Sequence, residues 1–217
     1  RKIRVKNKRA SRHQSFGWYS PEIIGELFEE IIGKFNFEDL KIPLKVVATD
    51  YRTGQEVIFD SGPLTPALIA TSALTLIFTP YEYQGKLFTD GGIANPLPTD
   101  IVRKMGADIV LAIDSGGKQY IERLDKKVEK GHHPLVKLIP PIHFLKSRHL
   151  GSAFIQLIDL VFENYRKEKL KNSPADILLV PNVSHHSQNA YDMVDEFVKE
   201  GERVTKEILP EMKTLLK

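Results

Sequence analysis

Apolar positions at Ile23, Ile24, Leu27, Ile31 and Ile32 share one face of a 3.6-residue period, so residues 21–34 are expected to form an amphipathic helix. Ser20 as N-cap and Pro21 as first helical residue mark its start. The period then shortens. Residues 44–50 (LKVVATD) form a β-branched run ending in an acid, TGQEV supplies a turn, and residues 56–62 (EVIFDSG) read as a second strand paired to the first as a hairpin. Thr65-Pro66 opens a helix through ALIATSAL, and LFTD (87–90) is the next strand. Residues 98–105 form a short helix stopped at Gly106. The run 108–114 (DIVLAID) is apolar on both faces, as expected of a parallel strand covered from both sides.

Further along, residues 116–148 have no period and hold Gly116, Gly117, Pro134, Pro140, Pro141 and many lysines, which reads as an irregular surface insertion. A helix is expected over 150–170, with Phe154, Leu157, Ile158, Val161, Phe162 and Tyr165 on one side. A buried strand follows at 176–182, stopped by Pro181. A long amphipathic helix over 189–216 runs through Val194, Phe197, Val198, Val204, Ile208 and Leu209, and Pro210 is expected to kink or interrupt it. With no internal repeat, this predicts one α/β domain over 1–217, preceded within it by a basic arm at 1–20.

Composition narrows the picture. A hydrophobic fraction of 41% and a charged fraction of 27% over 217 residues are enough for a packed core. The absence of cysteine excludes disulfides and thiolate metal sites, and fits a reducing, cytoplasmic setting. No apolar run reaches the roughly 18–20 residues that span a bilayer. The net charge of +3 is small, but residues 1–14 carry seven Lys/Arg and no acid. That run is a solvated arm or a contact to an anionic membrane surface; a nucleic-acid partner is not expected. The chain opens at Arg1 and not at Met, which reads as a break inside a longer protein.

The most informative chemistry lies at residues 87–98 (LFTDGGIANPLP). An apolar strand runs straight into Asp90, Gly91 and Gly92. A carboxylate at a strand end, on backbone that glycine leaves open, is suited to acid/base work; the plainer reading is an Asp capping a turn. Asp50 also ends a strand, but Thr53-Gly54 after it favours a structural turn. Ser72 (in a helix of small residues) and Ser115 (in Asp-Ser-Gly-Gly after a buried strand) lack an elbow context for a nucleophile. The adjacent pairs His132-His133 and His185-His186 match no metal-ligand spacing. No Walker loop or Gly-x-Gly-x-x-Gly is present, and no cofactor is expected.

The succession VVATDYRTGQEVIF, ALIATSALTLIFTPYEYQGKLFTDGGIANPLP and MGADIVLAID, with the later DILLVPNVS and EFVKEGERVTKEILPEMKTLL, resembles the patatin-like phospholipases, closest to their bacterial and neuropathy-target-esterase members. The similarity runs from about residue 37 to the end. It implies a sandwich of helices around a mostly parallel sheet, and hydrolysis of lipid acyl esters by a Ser–Asp dyad without metal or organic cofactor. Asp90 matches the family's Asp-Gly-Gly/Ala aspartate and would be the general base, with Gly91 and Gly92 orienting it. Thr75-Leu76 stands where the family often has Pro-Gly.

In that family a glycine-rich oxyanion turn and a Gly-x-Ser-x-Gly elbow precede everything seen here, and this sequence contains neither. The chain is therefore expected to lack the N-terminal strands of the fold and to be inactive alone. It is expected to need that segment, or a second chain, to complete its sheet. The alternative is a non-catalytic relative that binds lipid or a partner.

Overall fold

The computed structural model describes residues 19–75, 77–115, 148–183 and 193–215, with backbone alone at 148–159. It falls into two compact units, residues 1–96 and 97–217.

In the first unit, helix α1 (Glu22–Ile32) is followed by a 3₁₀ turn, β1 (Val46–Asp50), β2 (Glu56–Phe59), α2 (Leu64–Ser72), β3 (Tyr81–Tyr83) and β4 (Lys86–Asp90). The sheet order is β2-β1-β4-β3. Every pairing is antiparallel: Val46 faces Phe59, Ala48 faces Asp90, and Tyr81 faces Phe88. The hairpin expected between β1 and β2 is present. A second one, β3–β4, turns on Gln84 and Gly85, whose φ values of 50° and 74° are those of a primed two-residue turn. Such short connections can only join antiparallel strands. The α/β class therefore holds, while the expected predominance of parallel strands does not hold here.

Small residues let α2 lie close on this sheet: Ala48, Ala67, Ala70 and Ala73 are fully buried. Phe59, Phe88 and Tyr83 pack beside them, with the Phe59 and Phe88 rings edge to face at 5.2 Å. Helix α1 approaches α2 at Gly25, where a Cβ would sit 2.5 Å from Ile69 Cδ1. Of the apolar face expected on α1, Ile31 and Ile32 are exposed at the helix end; burial centres on Gly25 instead. Tyr19, at the end of the basic arm, is tied in by a parallel bridge to Phe78, its N–H donating to Ile77 O at 3.1 Å.

The second unit holds α3 (Thr99–Lys104), β5 (Leu111–Ile113), α4 (Arg148–Asn172), β6 (Ile177–Leu179) and α5 (Val194–Leu215). Here β5 and β6 are parallel, with Leu111 facing Ile177. Gly106 takes φ +92° just past α3, as expected of a helix stop. Asp176 binds α3 to this sheet: its Oδ2 accepts from Val110 N at 2.7 Å and from Arg103 Nη2 at 2.6 Å. The Val110 N–H, with Arg103 beside it, holds the Asp176 carboxyl below its ordinary value.

Three expectations change in this unit. Strand β5 is not covered on both faces: Leu111 and Ile113 are exposed. On α4, Val161 of the expected apolar side is exposed whereas Glu163 is buried. Glu163 tolerates burial because Lys167 pairs with it at 2.8 Å, and Arg166 nearby pairs with Asp114 at 3.4 Å. Finally, α5 continues through Pro210 to Leu215. The helix begins one residue after the described stretch opens at 193, so the expected start at 189 lies outside the described residues, as do Phe154, Leu157 and Ile158 as side chains, residues 1–14, both histidine pairs and the insertion expected at 116–148 up to Lys146 and Ser147, whereas Arg148 already opens α4.

Candidate active site

Asp90 is the last residue of β4, and nothing in its own side chain fixes where it points; its neighbours do. Its N–H donates to Ala73 O at 3.2 Å. Its carbonyl accepts from Thr49 Oγ1 at 2.7 Å, and the same hydroxyl oxygen accepts from Ala94 N at 3.1 Å. One buried threonine, 1% exposed, thus bridges the strand end and the turn after it. The carboxylate Oδ1 accepts from Gly92 N at 2.7 Å. The backbone then enters a 3₁₀ turn, Gly91–Ile93.

Each glycine answers to a different neighbour. A Cβ on Gly91 would sit 2.0 Å from Val47 O and 2.6 Å from Val47 C, an overlap of backbone with backbone. A Cβ on Gly92 would lie 3.0 Å from Asp90 Oδ1, so a side chain there would press on the carboxylate it now holds. Glycine here serves close approach, not positive φ, since among the described residues the left-handed glycines are Gly33, Gly54, Gly62, Gly85 and Gly106.

The carboxylate is partly buried at the sheet's end. Burial raises its pKa from the ordinary value, and the Gly92 N–H opposes that rise. Asp50, the other strand-end acid, behaves oppositely. Its Oδ1 accepts from Arg52 N and Thr53 N, each at 2.9 Å, and the Thr53 N–H foremost lowers its pKa. The two strand-end acids are therefore separated by environment: backbone N–H groups lower the pKa of Asp50, whereas burial raises that of Asp90.

Sequence reasoning did not single out Thr49, Thr89, Glu56 or Asn95. Thr89 Oγ1 donates to Ala73 O at 2.8 Å, which leaves Thr75 Oγ1 as donor in the 2.6 Å contact between the two hydroxyls. Thr75, where the resembled family often has Pro, thus fastens the turn beside β4. Asn95 is 3% exposed, and its Nδ2 donates to Glu56 Oε2. The sequence signal for Thr49 and Thr89 was their place directly before a strand-end acid, Thr49-Asp50 and Thr89-Asp90. Ser72 ends α2, and Ser115 is exposed just beyond β5. Among the described residues no cluster of three His, Cys, Asp or Glu is placed to hold a metal, and no helix is long and apolar enough to cross a membrane.

A profile described as patatin-like phospholipase matches residues 3–103. It starts earlier than the resemblance read from the sequence, within the basic run, and stops inside α3. An uncharacterized NTE family protein of Mycobacterium tuberculosis is 37% identical over 98 residues, which cover 45% of this chain and 27% of that protein. A patatin-like phospholipase domain-containing protein of Caenorhabditis elegans is 36% identical over 95 residues, 43% of this chain and 7% of the relative. Patatin-like phospholipase domain-containing protein 7 of Rattus norvegicus is 35% identical over 83 residues, 37% of this chain and 6% of the relative. The chain thus spans about a quarter of the length of the mycobacterial relative and less than a tenth of the animal ones. Residues 3–103, which hold the Asp90–Gly91–Gly92 turn, are thus similar in sequence to the patatin-like phospholipases.

Proposed function

We propose that this chain supplies the general base of a lipid acyl hydrolase, with Asp90 paired to a serine carried outside this sequence. The observation that carries the reading is the half-buried Asp90 carboxylate with its raised pKa, on backbone fixed from three sides. In the reaction the serine oxygen attacks the ester carbonyl carbon while Asp90 takes the hydroxyl proton. The proton passes to the departing alcohol, leaving an acyl-serine. Water then attacks the acyl carbon, Asp90 takes the water proton, and the serine recovers it as the acid leaves. A base of raised pKa holds that proton more firmly than an ordinary carboxylate, which favours the first transfer. The substrate class is a phospholipid, lysophospholipid or other carboxylic ester of lipid. The basic run at 1–14 would rest on anionic headgroups at a cytoplasmic membrane face.

The exposed apolar side chains Ile31, Ile42 and Ile113 support a further segment or a second chain packing on this one. The second reading, a non-catalytic relative that binds lipid, is favoured by the absence of Gly-x-Ser-x-Gly in these 217 residues. Fluorophosphonate labelling of the intact protein separates them. Labelling of a serine in a Gly-x-Ser-x-Gly elbow, with ester turnover lost in Asp90→Asn, supports the hydrolase. An unlabelled protein that still binds lipid vesicles supports the binding module.

A further inference from the structure

Thr49 and Glu56 are cross-strand partners, one on β1 and the other opening β2. Both reach the segment that follows Asp90. Thr49 Oγ1 donates to Asp90 O and accepts from Ala94 N. Glu56 Oε2 accepts from Asn95 Nδ2, while Asn95 N donates to Gly91 O at 2.9 Å. The two side chains therefore hold the turn at its beginning and at its end, and Gly92, whose N–H fixes the carboxylate, lies between. Gly91 is pressed on Val47 O at the same time, so the turn has no room to settle elsewhere on that side.

We propose that the Thr49/Glu56 pair is a positioning device that sets the orientation of the Asp90 carboxylate through the 91–95 turn. Neither residue touches the substrate; both act through the Gly92 N–H. The inference rests on the reading of Asp90 as the base only for its catalytic consequence, and its structural core stands without it. Thr49 is the sharper lever because its hydroxyl serves as donor and acceptor at once. Valine keeps its shape and β-branching but removes both bonds, whereas serine keeps the hydroxyl.

The test uses the intact protein, with amide hydrogen exchange at Gly92 and Ala94 and NMR titration of the Asp90 carboxyl. Thr49→Val is expected to speed exchange at both amides by about tenfold or more. It is also expected to move the carboxyl titration upward by roughly half a pH unit, because the Gly92 N–H that favours the charged form is loosened. Thr49→Ser is expected to restore both values. Glu56→Ala should reproduce the effect at Gly92 more weakly, and Glu56→Gln, which keeps an acceptor for Asn95, should not; this pair decides the matter if Thr49→Val does not fold. An unchanged carboxyl titration in Thr49→Val, or a Thr49→Ser as disturbed as the valine variant, overturns the proposal. Full ester turnover in Asp90→Asn would instead overturn the hydrolase reading and leave the positioning result intact.

Discussion

Gly91 lies so close under Val47 that a Cβ on it would stand 2.0 Å from the Val47 carbonyl oxygen. Neither partner is the end of a flexible side chain, so β1 itself would have to shift. That contact fixes the height of the Asp90 turn above β1 in the way the Thr49 hydroxyl fixes its direction.

Gly91→Ala is therefore expected to destabilise the protein by about 3 kcal/mol or more. Gly54→Ala meets nothing within 4 Å but must adopt φ +71°, and is expected to cost only roughly 1 kcal/mol. Denaturant melts of the two variants check the difference. Equal midpoints would show that the backbone contact under Asp90 is not as tight as described.

Asp90→Asn keeps an oxygen that can accept from Gly92 N, so the turn should persist while the proposed general base is lost. Turnover of a lipid ester by the intact protein is expected to fall on the order of a hundred- to ten-thousand-fold, with an unchanged circular dichroism spectrum.

The pH dependence has a definite sign. A carboxyl whose folded pKa is raised binds its proton more tightly folded than unfolded. The Asp90 contribution to stability is then most favourable below the unfolded value, about 3.9, and declines as pH rises from there through the raised folded value. Asp50, with its folded pKa lowered, contributes stability above about 3.9 that is lost as pH falls through its folded value. Melting temperatures across that range should show Asp90→Asn removing the decline with rising pH and Asp50→Asn removing the loss at low pH. Under the proposed role of Asp90 as base, turnover by the intact protein should rise on its acidic limb with a midpoint above that of an ordinary aspartate.

Gln84 occupies φ 50° at the β3–β4 turn, a conformation that asparagine and glycine adopt more easily. Gln84→Asn is expected to stabilise by roughly 0.5 kcal/mol, since the hairpin is kept and the left-handed strain is eased. A lowered melting temperature would contradict the assignment of this turn.

Much of the fold was legible in the chain because local signals are strong there. The Thr53-Gly54 turn joins two β-branched runs, Pro66 lies in the first turn of α2, and Gly106 ends α3; each is a matter of backbone conformation a few residues wide. The missed hairpin at Gln84-Gly85 follows the same chemistry, hidden because Tyr-Glu-Tyr is short and glutamine is an unusual residue at positive φ. The run 108–114, read as a parallel strand, holds β5, which does pair in parallel with β6; the antiparallel first unit departs instead from the mostly parallel sheet that the family resemblance implied. Period cannot report which partner a strand meets, and β1 meets β4 across some forty residues.

By itself the sequence determined most of the helices and strands, β3 excepted, that an acid stands at the end of β4 with two glycines after it, and that no serine elbow occurs within these 217 residues. The tertiary structure alone decided that the pKa of Asp90 is raised while that of Asp50 is lowered, and that Thr49, Glu56, Thr89 and Asn95 surround the Asp90 turn. The physical reason is that desolvation and hydrogen bonding depend on groups distant along the chain, brought together only when β1 and β4 pair.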